Sequence, residues 1–292
     1  MASTPSTVDL PGYARTTFTH DGDSRTVYRA GEGPCVVVIS EMPGIGPSLL
    51  DFAQRVVDLG CSVALPHLFG EPGRDPERSG ARTLVADALG SLVPACVSRE
   101  FTVLATGSTS PVMGWLRALG RHLHEEHGGP GIGVVGMCFT GGFALGMLAD
   151  APVLAPVLSQ PSVPFSTTGK AKADLGLSPD DLQAMLDTCA ARDLTVVGLR
   201  FTGDKLAPAE RFATLRRLLG DRFVGVEIDS SKGNPWGHRA AAHSVLTLDL
   251  VDEPGQPTRD ALDLVLDLFR SKLLGEEPTS PLLAGAGPEP RS

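Results

Sequence analysis

The chain has 292 residues, 42% of them hydrophobic and 20% charged, enough apolar material for one large or two small soluble domains. Its formal charge is −9, from 25 Lys and Arg against 34 Asp and Glu, with no basic cluster, which argues against nucleic acid or an anionic membrane surface as partner. No stretch is long enough to span a bilayer, the start "MASTPSTVDLPGYART" lacks a secretory pattern, and five scattered cysteines fit neither a disulfide framework nor a CxxC metal site. A cytoplasmic location is the expectation.

Residues 1–14 read as a flexible N-terminus. "TTFTHDGDSRTVYRA" alternates around an Asp-Gly turn and predicts an opening hairpin. "PCVVVISEMPG" is a continuous apolar run, the mark of a strand buried on both faces. "SLLDFAQRVVDLG" has helical spacing, with Ser48 as its cap and Gly60 as its stop, and "CSVALPHLFG" is the next buried strand. Strand, helix, strand in this order is a βαβ unit and implies a parallel sheet. From Glu71 to about Ser110 the chain is rich in Pro, Arg, Gly and Ser, then helical around "ARTLVADALGSLVPACVSREF", and reads as an excursion above the sheet. "SPVMGWLRALGRHLHEEHGG" predicts an amphipathic helix and "GIGVVG" a third core strand. "VLAPVLSQP", "DLTVVGLRFTGD" and "FVGVEIDS" supply three more strands, and "PTRDALDLVLDLFRSKLL" a closing helix. One α/β domain over 15–273, a mostly parallel sheet with helices on both faces, accounts for the chain. Residues 274–292, rich in Pro, Gly and Glu, read as a disordered tail.

Functional groups in open α/β sheets gather at the carboxyl ends of the strands. Cys138 sits at that edge, between "GIGVVG" and "FTGGFALGMLAD", in a pattern like the nucleophile elbow Gly-x-Ser-x-Gly. Gly136 supplies the small position before it, and Gly141 and Gly142 let the following helix pack closely. The helix N-terminus favours a thiolate, and the amide of Phe139 can donate to an oxyanion. Cys35, Cys61, Cys96 and Cys189 lie inside apolar or helical patterns and read as buried structural thiols. A nucleophile needs a base, and the base an orienting acid. Beyond Cys138 there are only two histidines, His238 and His243, and Asp204 follows a late strand where such an acid belongs.

With these residues in place, the sequence resembles the dienelactone hydrolase family over roughly 15–273. The resemblance rests on "VVVISEMPGIGPSLLDFAQRVVDLGCSVALPHLFG", "GMCFTGG", "FTGDKLAP" and "AAHSVLTLDLVDEP", in that order. It implies an α/β-hydrolase fold and a Cys, His, Asp triad that opens lactones or esters through an acyl-thioester. Carried over, the triad is Cys138, His243 and Asp204. His238, in "SKGNPWGH", reads instead as a loop histidine. The resemblance also gives Glu41 in "ISEMPG" contact with the resting thiol and the role of accepting its proton, and makes the amide of Met42 the second oxyanion donor beside Phe139. Two positions depart from the family. Thr140 stands where a glycine is usual, and Thr247 stands four residues past the histidine, where compact members carry an arginine for the substrate carboxylate. Arg99 in "VSREF" is a candidate for another such contact.

Other signals are weaker. His122, His124 and His127 with Glu125 in "HLHEEH" lack the His-Glu-x-x-His spacing and read as a solvated helix face. Neither "PGIGP" nor "GIGVVG" completes a dinucleotide fingerprint. Trp115 reads as core, with lining the substrate pocket as its alternative, and His67 in "PHLFG" either lines the site or packs in its loop. No metal or organic cofactor is called for, and the expected partner is a small ester or lactone. The competing readings are acyl transfer, thioester hydrolysis or cyclisation on the same site, and a non-catalytic binding protein of this fold. Products formed with an added acceptor separate the first group, and the absence of both a burst and Cys138 labelling would favour the last.

Overall fold

The structure, a computed structural model, describes residues 5–75, 110, 112–162 and 169–284. The elements in chain order are β1 (Ala14–His20), β2 (Asp23–Ala30), β3 (Cys35–Ile39), α1 (Pro47–Asp58), β4 (Ser62–Pro66), α2 (Val112–His127), β5 (Ile132–Met137), α3 (Gly141–Met147), β6 (Val153–Ser159), α4 (Gly169–Ala173), α5 (Pro179–Ala191), β7 (Val196–Phe201), α6 (Ala209–Leu219), β8 (Phe223–Ile228), α7 (Pro257–Leu274) and α8 (Pro281–Ala284). Among the described residues, eight strands form one sheet in the order β1-β2-β4-β3-β5-β6-β7-β8. β1 and β2 are antiparallel, as are β2 and β4, and the remaining neighbours are parallel. This is an α/β-hydrolase fold.

The opening hairpin turns on Asp21 and Gly22, both at positive φ (48° and 78°), the geometry an Asp-Gly pair adopts cheaply. β3, β4 and β5 are buried at every residue because helices cover both faces of the sheet. The two-residue period divides their side chains: Val37, Ile39 and Val134 join Trp115, Leu116 and Phe143 on one face. Val36, Val38 and Val135 join Phe52, Leu268 and Phe269 on the other. α1 buries Leu49, Phe52, Ala53 and Val56, the i, i+3, i+4, i+7 stripe of a helix with one apolar face. Its cap is Gly46, not Ser48, because Pro47 occupies the first helical position, where the missing N–H costs nothing. α5 buries only Met185 and Cys189, too short a stripe to give a periodic signal.

Described segments near both ends are bonded to the fold. The Ser6 amide donates to Thr26 Oγ1 (2.8 Å) and Tyr28 Oη to the Val8 carbonyl (2.7 Å), fastening residues 6–8 to β2. Beyond α7, the amides of Thr279 and Ser280 both donate to Oδ2 of buried Asp267 (2.9 and 2.7 Å), so part of the expected disordered tail is held against the helix. The helical excursion expected before Ser110, with Cys96 and Arg99, falls within residues 76–109 and lies outside the described residues. No described helix is long and apolar enough to cross a membrane.

From β3 the chain steps to β4 on one side, and the crossover after β4 passes back over β3 to β5 on its other side. The carboxyl ends of β3, β5, β6 and β7 therefore border a crevice at the switch point, the place where such sheets bind ligands. Glu41, Cys138, Gln160 and Asp204 follow those four ends.

Candidate active site

Cys138 leaves β5 at φ 57°, a left-handed conformation that few non-glycine residues adopt and that costs on the order of 1–3 kcal/mol. A 3-10 turn, Cys138–Thr140, then runs directly into α3. The small residues around it are demanded by contact. A Cβ on Gly136 would lie 2.3 Å from the Thr140 carbonyl oxygen, and one on Gly141 would lie 2.7 Å from Pro161 Cβ. Thr140 does not crowd the site as a bulky replacement for glycine would. It is fully buried, its hydroxyl accepts from the Met137 amide (2.8 Å), and the carbonyls of Met137 (2.7 Å) and Ile39 (3.1 Å) are within reach as acceptors. The threonine ties the elbow to the end of β3.

His243 lies in a turn without regular secondary structure that two aspartates hold. Its amide and that of Ser244 donate to Asp249 Oδ2 (2.8 and 3.1 Å). Its Nδ1 lies 2.6 Å from Asp204 Oδ2, and since a carboxylate only accepts, Nδ1 carries the proton. Asp204 is buried, and its other oxygen accepts from the Leu206 amide (2.9 Å), which sets the carboxylate's orientation. Nε2 is buried, with no conventional hydrogen bond among the described residues, and is coupled to the Cys138 thiol. Burial alone would push the imidazole's pKa down. The bonds and charges of Asp204 and Cys138 outweigh it and raise the value to about 11. An imidazole that holds its proton beside a thiol is the setting of an activated sulfur nucleophile.

Glu41 is 7% exposed and bound on both oxygens. Oε2 accepts from Gln160 Nε2 (2.9 Å) and Ser244 Oγ (2.7 Å), and Oε1 accepts from Thr247 Oγ1 in a short bond. Its hydrogen bonds among the described residues thus run to the end of β6 and the histidine turn, not to the thiol. Thr247, at the family's arginine position, spends its hydroxyl on Glu41. Met42 and Phe139 belong to the same apolar cluster as Cys138, and Phe139 meets Phe69 in a tilted contact (5.2 Å) and Phe143 edge-on (6.2 Å).

The remaining candidates are dispersed. His238 is buried against Phe201 (5.1 Å) in a loop ordered by Asn234, whose side chain bonds the Ser231 and His238 carbonyls and the Trp236 and His238 amides. It is a packed residue whose charged neighbours are Asp249 and Asp229. Trp115 is 2% exposed, packs on Phe18 (5.5 Å) and lies under the Arg25 guanidinium, which places it in the core beneath the hairpin and not at a substrate surface. His67 bonds the Gly70 carbonyl (2.9 Å) within its own loop. On α2, His122 stacks on Phe18 while His127 reaches Ser62 and Arg29, so the helix's histidines serve separate contacts.

Three contributors escaped the sequence reading. Asp249 and Gln160 give no local signal, because each acts across a loop or between strands. Arg211, on α6, is 3% exposed and donates to the carbonyls of Asp174 (2.7 Å) and Ser162 (3.0 Å). Burial lowers its pKa to about 10 against the opposing pull of Asp174 and Cys138.

The sequence profile described as the dienelactone hydrolase family matches residues 24–234. No curated protein sequence matches the chain. Among solved structures, a Klebsiella pneumoniae protein assigned as a dienelactone hydrolase aligns with a TM-score of 0.57 at 16% identity, covering 88% of this chain and 97% of its own. A 2,6-dihydroxy-pseudo-oxynicotine hydrolase aligns at 0.53 and 16%, covering 93% and 71%. A puromycin hydrolase aligns at 0.57 and 14%, covering 94% of this chain and 42% of its own. At these identities the likeness speaks for the fold.

Proposed function

The chain belongs to the dienelactone hydrolase family, and from that premise we propose that it hydrolyses a small lactone or ester through an acyl-thioester on Cys138. The observation that carries this reading is the geometry of the elbow: a cysteine at φ 57° between strand and helix, coupled to a histidine whose other nitrogen lies 2.6 Å from a buried aspartate.

In this reading the Cys138 sulfur attacks the carbonyl carbon, and the negative charge passes to the carbonyl oxygen, which the amides of Met42 and Phe139 face as donors. The tetrahedral species collapses with loss of the alkoxide, which takes the proton from His243 Nε2 and leaves as alcohol, or as the free end of an opened lactone. The neutral imidazole then removes a proton from water, which attacks the thioester. Collapse releases the carboxylic acid and returns sulfur and proton to their starting places. Asp204 keeps Nδ1 protonated throughout and stabilises the imidazolium. No step draws on a metal or an organic cofactor.

An activated aryl ester tests the reading. The expected result is a burst of phenol stoichiometric with enzyme, and a mass spectrum with the acyl group on the peptide containing Cys138. Steady turnover with the acyl group on another residue, or turnover unchanged by Cys138→Ala, would overturn it. Adding an alcohol or thiol acceptor separates hydrolysis from transfer by its products.

A further inference from the structure

Gln160 is fully buried at the end of β6 with φ 36°, one of four non-glycine residues at positive φ among the described residues. Glycine would occupy that backbone without strain, so the side chain is retained against a local cost. Its bonds account for this. Nε2 donates to Glu41 Oε2 (2.9 Å), while Oε1 accepts from the Val245 amide (3.3 Å) and, in a short bond, from Ser159 Oγ. The orientation is unambiguous: a flipped amide would set oxygen against the carboxylate and NH2 against the Val245 N–H. Glu41 in turn accepts from Ser244 and Thr247, so one amide is bonded on both sides of the residues that follow His243.

The same turn reaches the nucleophile. Gln160 N–H is fixed on the Leu199 carbonyl (2.7 Å), its own carbonyl accepts from Ser162 Oγ (3.0 Å), and the Ser162 amide donates to the Cys138 carbonyl (2.9 Å). Pro161 fills the space that Gly141 leaves open, and Arg211 braces the Ser162 carbonyl. The side chain of Gln160 therefore joins the glutamate loop to the histidine turn, and its backbone, through Ser162, ties both to the nucleophile elbow, so three distant parts of the chain meet at one residue.

We propose that Gln160 is a positioning residue that sets the register of His243 against Cys138, by holding Glu41 and Val245 together at the end of β6. The proposal rests on the reading of Cys138 and His243 as nucleophile and base. Gln160 touches neither reacting atoms nor substrate in this role, and its loss affects how often the imidazole is aligned, not how substrate is held.

The test uses Gln160→Gly, which relieves the backbone while removing the side chain, and Gln160→Met, which keeps the volume without the polar atoms. Both are assayed on an activated aryl ester beside wild type, with thermal melting as the measure of folding. The expected result for both folded variants is a kcat lower by roughly tenfold to a hundredfold, the usual cost of a misplaced catalytic group, with KM within about threefold. A kcat within about twofold of wild type in either folded variant overturns the proposal, because a side chain that merely fills space would leave turnover intact. So does a loss confined to KM, which would place Gln160 in substrate binding. A wild type with no burst and no acyl group on Cys138 overturns the nucleophile reading and this proposal together. A normal wild-type burst with unimpaired variants overturns this proposal alone.

Discussion

At the scale of single residues, the thiols divide by environment. Burial pushes Cys35 up to about 12 and Cys61 and Cys189 up to about 11, so all three are protonated and inaccessible near neutrality. Cys138 is half-buried at a helix start and coupled to a protonated imidazole. Iodoacetamide at pH 7 should alkylate Cys138 well before those three and abolish turnover, and peptide mapping against time checks it. The histidines divide in the same way. His243→Ala should lower kcat by orders of magnitude, whereas His238→Ala, which removes a ring packed on Phe201, should change it severalfold at most. The opposite pattern would transfer the base to His238. The His243 pKa has a thermodynamic consequence as well. Because it is raised above the ordinary 6.5, the stability it contributes is whole below about pH 6.5 and is lost as pH rises towards 11. Cys138→Ala removes one of the two groups that raise it, so the imidazole should titrate at lower pH in that variant by NMR. The difference in urea midpoint between wild type and variant should shrink above neutral pH.

At the scale of elements, the elbow is a strand-to-helix junction held by hydrogen bonds that compensate its strain. Thr140 accepts from Met137 N–H and reaches two carbonyls, all without solvent. Thr140→Val keeps the shape and strands the buried amide, and should cost about 1–3 kcal/mol in urea unfolding. An unchanged midpoint would mean that the hydroxyl bonds contribute nothing to the junction. The departure from the family's glycine was legible in the sequence, but its meaning was not. A threonine in "GMCFTGG" marks only a missing glycine until the end of β3 is seen beside it. The helical stripes of α1 and α7 were legible because each buries one continuous face. α5 was not, because its two buried residues make no stripe.

At the scale of the whole molecule, the site's charge bears on substrate choice. Thr247 stands where an arginine would grip a substrate carboxylate, and its hydroxyl is already engaged by Glu41. A lost charged hydrogen bond costs roughly 1.5–3 kcal/mol, or about 10- to 150-fold in affinity. The formal charge of −9 adds a weak, salt-screened repulsion of anions. Neutral esters should therefore show kcat/KM at least equal to that of carboxylated lactones of the same size, with the gap narrowing as salt is raised. A strong preference for the carboxylated substrate would show that a cation other than residue 247 serves the site.

By itself, the sequence determined the layered α/β architecture and the candidates Cys138, Asp204 and His243. Buried strands must be apolar on both faces, amphipathic helices must repeat every 3.6 residues, and a strand-to-helix turn must be built from small residues, so each of these leaves a local pattern. The tertiary structure alone decided what surrounds those candidates. Glu41 meets Ser244 and Thr247 more than two hundred residues away in the chain. Gln160 joins the loops after β3 and β6 to the histidine turn, and Asp267 holds a tail that composition marks as disordered. Such polar contacts form between single atoms of remote segments and have no period. Nothing in the order of residues announces them until folding has brought the ends of the strands to one edge.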